Sequence, residues 1–265
     1  NDTGIYIAIV KDDVVFSGNT VSNNSGRGFD YNNGSGPTSS WATDSITVTN
    51  NTITGNSSCG IRIEDRGDAD AIITNNTITD GGYGIYVENN DTNVHPTIRD
   101  NTITGNSSYG IRTDGKVVPV IAENQVEDNG DGIQIEYTDV NGNGDFDLTD
   151  NAILDNSGYG ILINQHARPR IHFNDITGNG YAVQNHTVYN VDAKNNWWGD
   201  DVTALMEQGD NPKNLNAFYD SHDNTSYGLI NYAGWLDGTA LDPGNPPTAS
   251  PVITGTLLLT DSDGL

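Results

Sequence analysis

The stretch NNTITGNSSCGIRIE occupies Asn50–Glu64, and a near copy, DNTITGNSSYGIRTD, occupies Asp100–Asp114. Between them lies NNTITDGGYGIYVE, Asn75–Glu88. Each copy holds short runs of alternating apolar and polar residues, broken by Asn, Asp and Gly. Alternation at period two marks strands with one buried face. The Gly, Asn and β-branched content argues against helix. Working outward from the copies, the asparagines Asn19, Asn51, Asn76, Asn101, Asn124, Asn151, Asn174 and Asn196 recur at spacings of 32, 25, 25, 23, 27, 23 and 22 residues.

An apolar side chain follows each anchor by two positions: Val21, Ile53, Ile78, Ile103, Val126, Ile153, Ile176 and Trp198. Another precedes it by three: Phe16, Val48, Ile73, Ile98, Ile121, Leu148, Ile171 and Ala193. Further on, a small residue leads into an apolar one, as at Gly28-Phe29, Gly60-Ile61, Gly84-Ile85, Gly110-Ile111, Gly132-Ile133, Gly160-Ile161 and Ala182-Val183. Three strands per coil and about 22 to 25 residues per coil predict an all-β fold, a single right-handed parallel β-helix; the hand follows from the general preference of parallel crossovers. Residues 1–200 form the coils. Residues 201–238 form a C-terminal cap, with a short helix over DVTALMEQG (Asp201–Gly209) capped by Asp201. Trp197, Trp198 and this helix are expected to lid the last coil, with stacking on sugars as the functional alternative for the tryptophans. Residues 239–265 are a Pro-rich linker, LDPGNPPTASP, and the truncated start of a following segment.

These rungs resemble the right-handed parallel β-helix repeats of secreted and surface proteins of bacteria and archaea, a superfamily of carbohydrate-binding proteins, sugar hydrolases and a periplasmic copper-enzyme maturation factor. The resemblance covers residues 1 to about 238. Its more specific part is the ending NNWWGDD (Asn195–Asp201), FYDSHDN (Phe218–Asn224) and YGLINYAGWL (Tyr227–Leu236). It implies architecture well and function poorly. The final ITGTLLLTDSDGL resembles the start of an immunoglobulin-like surface domain, and the opening NDTGIYIAIV lies inside a repeat, as in a piece of a longer protein.

The 265 residues carry 36 acidic and 11 basic side chains, a formal charge of −25. Nucleic acid and anionic lipid surfaces are therefore poor partners. Asp far outnumbers Glu, which favours turns and calcium loops over salt adaptation, the second reading. No segment is apolar enough for membrane insertion, and no signal peptide is present in the sequence. The lone Cys59 excludes an internal disulfide and reads as a packing position rather than a nucleophile.

On the strand after each glycine the first outward column reads Asp30, Arg62, Tyr86, Arg112, Gln134, Leu162, Gln184. The second reads Asn32, Glu64, Glu88, Asp114, Glu136, Asn164, His186. Like charges on paired strands repel. The carboxylates Glu64, Glu88, Asp114 and Glu136 must be relieved by bound cations, by Arg62 and Arg112, or by raised pKa values. The strip is either a solvated edge or a binding or catalytic surface. In the catalytic case, carboxylates on neighbouring rungs suit a retaining glycosidase and those on alternate rungs an inverting one. Alternatively calcium neutralises a uronate while Tyr86 or an Arg takes the proton, as in a lyase. Arg62, Arg112 and Trp41, on the insertion Phe29–Ser45, are the substrate-binding candidates, Trp41 through ring stacking or else tucked over the first coil.

DVNGNGDFDLTD (Asp139–Asp150) places Asp139, Asn141, Asn143, Asp145 and Asp150 at oxygen-ligand positions of a twelve-residue calcium loop, with Gly144 at the turn. It resembles the dockerin loop, but leads into a strand rather than a helix. One rung on, HARPRIH sets Arg168 and Arg170 opposite Asp145 and Asp147, while His166, His172 and His186 show no ligand spacing for copper or zinc. The pairs Thr52/Thr54, Thr77/Thr79 and Thr102/Thr104 suggest a flat hydroxyl array of the ice-binding kind, broken at Gln125/Glu127.

The function expected from these residues is an extracellular or cell-surface, calcium-stabilised module that binds polysaccharide and can extend to hydrolase or lyase chemistry. It would be a monomeric part of a larger surface protein. The alternatives are a non-catalytic stalk or adhesin segment and an ice-binding protein.

Overall fold

The computed structural model describes residues 2–8, 13–32, 45–64, 70–139, 142 and 144–240. Trp41, Asn141, Asn143 and the C-terminal linker lie outside these residues. The described strands form three parallel sheets. Sheet A runs from Thr3–Ala8 through Arg27–Asn32, Cys59–Glu64, Tyr83–Val94, Tyr109–Val117, Asp131–Tyr137, Tyr159–Gln165 and Tyr181–Asn185 to Phe218–Tyr219. Sheet B begins at Val14–Ser17 and ends at Ile230–Asn231, and sheet C runs from Thr20–Ser22 to Asp175–Thr177. Successive strands of each sheet are one coil apart in sequence, so the solenoid is as the repeat predicts.

The register follows the anchors. Val21 pairs with Ile53, Ile53 with Ile78, Ile78 with Ile103, and so on to Ile176. All lie in one core with the apolar columns of sheets A and B. A single residue with left-handed backbone turns each coil from sheet B to sheet C, as at Asn50, Asn75, Asp100 and Asp150. Another turns it from sheet C to sheet A, as at Asp80, Asp128 and Asp155. Asn and Asp tolerate this conformation better than other side chains. That requirement accounts for much of the unusual composition.

An asparagine follows the first turn in every coil, and these side chains form a ladder. Each Oδ1 accepts from the backbone N–H and the Nδ2 of the previous rung, as Asn101 Oδ1 does from Asn76 at 3.0 Å for both. A second ladder, beyond the sequence-based expectation, follows the other turn through Asn24, Asn56, Asn106, Asn129, Asn156 and Asn179, with Gly81 standing in one rung. Its signal is present in the repeated Gly-Asn and Asp-Asn pairs. Both ladders satisfy turn backbone groups buried from water.

Glycine at the start of each sheet A strand reflects crowding. A Cβ on Gly84 would lie 2.4 Å from the Gly110 carbonyl and from Ile103 Cγ2. Beside Gly60, Cys59 is buried, and burial pushes its thiol up to about 12, against the weaker pull of Arg27 and Arg62. It is a packing residue with little thiolate at neutral pH.

The C-terminal region adds strands Phe218–Tyr219 and Ile230–Asn231 to sheets A and B before closing over the core. Trp198 is 1% exposed and meets Phe218 edge-on at 4.9 Å, with Phe218 stacked on Tyr232 at 4.8 Å. Trp198 is thus part of the lid and has no ring face for a sugar. The short helix spans Asp200–Met206 and starts one residue earlier than expected. Gly199, at φ 84°, is its N-cap, so Asp201 lies in the first turn and does not cap it. No helix among the described residues is long and apolar enough to cross a membrane.

Candidate functional site

Alternation on sheet A sends Ile61, Ile63, Ile85, Val87, Ile111, Ile133 and Ile135 inward and leaves two columns on the outer face. The two outward columns read from the sequence stand in register: Asp30 beside Arg62, Arg62 beside Tyr86, Tyr86 beside Arg112, and Glu64 beside Glu88, Glu88 beside Asp114. A third column, brought outward where the strand breaks alternation at its small residue, holds the residue before each glycine, as at Tyr83, Tyr109, Asp131 and Tyr159, and before Ala182 at Tyr181. These tyrosines were missed from sequence, although the repeated Tyr-Gly pair marked them. Tyr83 stacks on Tyr109 with centroids 5.7 Å apart and on Tyr86 at 5.9 Å.

Arg62 is the hub of the charged part. Its Nη1 donates to Asp30 Oδ1 at 3.2 Å, and its Nη2 donates to both Glu64 and Glu88. Arg27 completes the pairing of the buried Asp30 at 2.9 Å. Burial works against the Arg62 charge, but Glu88, Glu64 and Asp30 outweigh it and hold its pKa above the ordinary value. On the next rungs Tyr86 donates to Glu88 Oε2 at 2.9 Å, and Arg112 Nη2 donates to Asp114 Oδ2 at 3.0 Å. Arg112 also lies over the Tyr86 ring, 5.3 Å from its centroid. Burial first, and then the neighbouring Glu88, raise the Tyr86 phenol above its usual range.

The repulsion along the carboxylate column is thus relieved by arginines. The side chains of Arg62, Glu64 and Glu88 are only 11%, 14% and 18% exposed. This is a packed ion network and not a solvated edge. Glu136, further along, accepts from Gln165 Nε2 at 3.3 Å and stands apart from the Arg62 hub.

The proposed calcium ligands are less well assembled. Asp139 faces Lys116 Nζ at 3.9 Å, and Asp145 pairs in register with Arg168. Asp150 is a left-handed turn residue beyond the strand Asp145–Thr149, which puts it about 16 Å along the chain from the loop. The strand that replaces the helix of a calcium-loop motif thus carries Asp150 away from Asp139 and Asp145, the other candidates among the described residues. Among the described residues no three His, Cys, Asp or Glu side chains converge as a metal set. The expected cross-rung pair forms between Arg170 Nε and Asp147 Oδ1 at 2.6 Å. On sheet C the threonine columns stand in register and end at Gln125 and Glu127.

The family described as right handed beta helix region matches residues 38–197. No curated protein and no solved structure matches.

Proposed function

The chain belongs to the right handed beta helix family, and on that premise we propose that it is an extracellular module whose sheet A outer face binds polysaccharide. The observation that carries this reading is the alignment of a tyrosine column with an ion-paired polar strip on one face, in which Arg62 and Arg112 hold Asp30, Glu64, Glu88 and Asp114. Aromatic rings cover the apolar faces of sugars, while ion-paired carboxylates and guanidinia offer fixed acceptors and donors to hydroxyls. Binding fits the face better than turnover. Glu64 and Glu88 already accept from Arg62, and the raised Tyr86 phenol keeps its proton at neutral pH. Neither arrangement supplies the ready acid or base that hydrolase or lyase chemistry needs.

The test is retention on a panel of immobilised neutral and acidic polysaccharides, comparing the natural chain with Glu88→Gln. The substitution removes a charge from the Arg62 hub and weakens the acceptor of Tyr86. Affinity is expected to fall about tenfold, one well-placed charged hydrogen bond. No retention of the natural chain would leave the rungs as a stalk that supplies length, and retention unchanged by the substitution would move binding away from the Arg62 hub.

Calcium enters the proposal through the loop that begins at Asp139. Asp139, Asn141, Asn143 and Asp145 are the ligands we assign, without Asp150. Millimolar calcium is expected to raise the melting temperature by binding the folded state alone, and Asp139→Ala to abolish the rise without altering the fold. Identical melting curves in calcium and in chelator would remove calcium from the account.

A further inference from the structure

Two buried polar atoms on the outer face of sheet A have no hydrogen-bond partner among the described residues, Gln134 Oε1 and Arg112 Nε. They sit side by side, since Arg112 and Gln134 pair in register. Gln134 is 6% exposed although it points away from the core, between inward Ile133 and Ile135. A buried acceptor left unmade destabilises by about 1–3 kcal/mol. The fold does not demand an amide there, because Leu162 fills the next position of the same column with equal burial.

The tyrosine column breaks on the same rung. Asp131 stands between Tyr109 and Tyr159, and its Oδ1 is drawn back to accept from the Tyr159 backbone N–H at 2.9 Å. The two tyrosines are two rungs apart, about 9.6 Å. A short side chain, held back, replaces the ring that would otherwise occupy the interval.

We propose that this notch is a subsite for one pyranose ring of a neutral glycan. The inference rests on the polysaccharide reading and narrows it. Tyr109 and Tyr159 form the walls and Gln134 the floor. The Gln134 amide turns over about its broad terminal torsion to present Oε1 to a sugar hydroxyl. Arg112 Nε is closed off as the side chain stands, and a small outward shift of the guanidinium lets it donate to a second hydroxyl while Nη2 stays with Asp114. The Arg112 charge is already matched by Asp114, and Asp131 and Glu136 remain beside the notch, so a uronate would meet net like charge.

Calorimetric titration with hexaoses of neutral β-1,4-glucan, β-1,4-mannan, β-1,4-xylan and α-1,4-glucan, and with an oligogalacturonate, tests the proposal on the whole chain. At least one neutral hexaose binds. Gln134→Leu lowers its affinity about tenfold yet leaves the melting temperature equal or higher, because an unmade acceptor is removed. Asp131→Tyr, which continues the tyrosine column, fills the notch and lowers affinity at least as much. Neutral hexaose binding unaltered in both variants overturns the subsite and leaves the polysaccharide reading intact, as does binding of the oligogalacturonate alone. No binding to any member of the panel overturns both.

Discussion

Ile103→Asp is expected to leave the chain unfolded at room temperature, protease-sensitive and without a cooperative melting transition. Ile103 is fully buried on the sheet C strand Thr102–Thr104, between Ile78 and Val126 on the adjoining rungs. The change removes an isoleucine from the core, at about 2–5 kcal/mol, and adds the several kcal/mol of an unpaired buried carboxylate. Their sum approaches the whole stability of a typical domain, about 5–15 kcal/mol. The contrast is Thr102→Asp, one residue earlier on the outward face, which should remain folded with a sheet-like circular dichroism spectrum. A cooperatively folded Ile103→Asp chain would show that the apolar column does not form the core.

Asn101→Leu should cost about 2–6 kcal/mol, read as a lowered denaturation midpoint with the fold preserved, because it orphans two buried backbone groups at about 1–3 kcal/mol each. Asn101 Oδ1 is the acceptor for the Asn76 backbone N–H, and Asn101 Nδ2 donates to the Ile73 carbonyl at 2.9 Å. Leucine matches the volume and can do neither. Asn101→Asp keeps the acceptors but loses the donor and places a charge beside the Asn124 side chain, so it should be no better than leucine. A midpoint unaltered in Asn101→Leu would mean that the ladder reports the turn geometry rather than stabilising it. Effects of this size at one rung also spread to its neighbours, since a solenoid is held mainly by nearest-neighbour contacts.

Much of the candidate face is legible in the sequence alone. The columns through Arg62, Tyr86 and Arg112, and through Glu64, Glu88 and Asp114, come from counting two residues at a time from Gly60, Gly84 and Gly110. The structure keeps that register. The tyrosine column is not reached by that count: Tyr83 shares the parity of Ile85 and Val87, and it faces outward only because the strand breaks alternation at Gly84 and Ile85, which are both buried. Asp150 differs again: the strand after Asp145 is legible in the sequence, and it sets Asp150 apart from the last ligand of a loop that runs into a helix.

The number of strands per coil, the inward and outward faces, the rung-to-rung register and the first asparagine ladder can all be read from the chain of residues. These follow from periodicity, because a residue's place in a solenoid depends on its position within the repeat and on the like residue one coil away. Packing in three dimensions was needed to see that Arg62 gathers Asp30, Glu64 and Glu88, that Gln134 is buried on the outer face with an acceptor unmade, and that Trp198 closes the core instead of meeting a ligand. Those outcomes depend on which rotamer each long side chain takes against neighbours some 25 residues distant. The repeat fixes where such a side chain starts, and packing against the adjoining rungs fixes where its end goes.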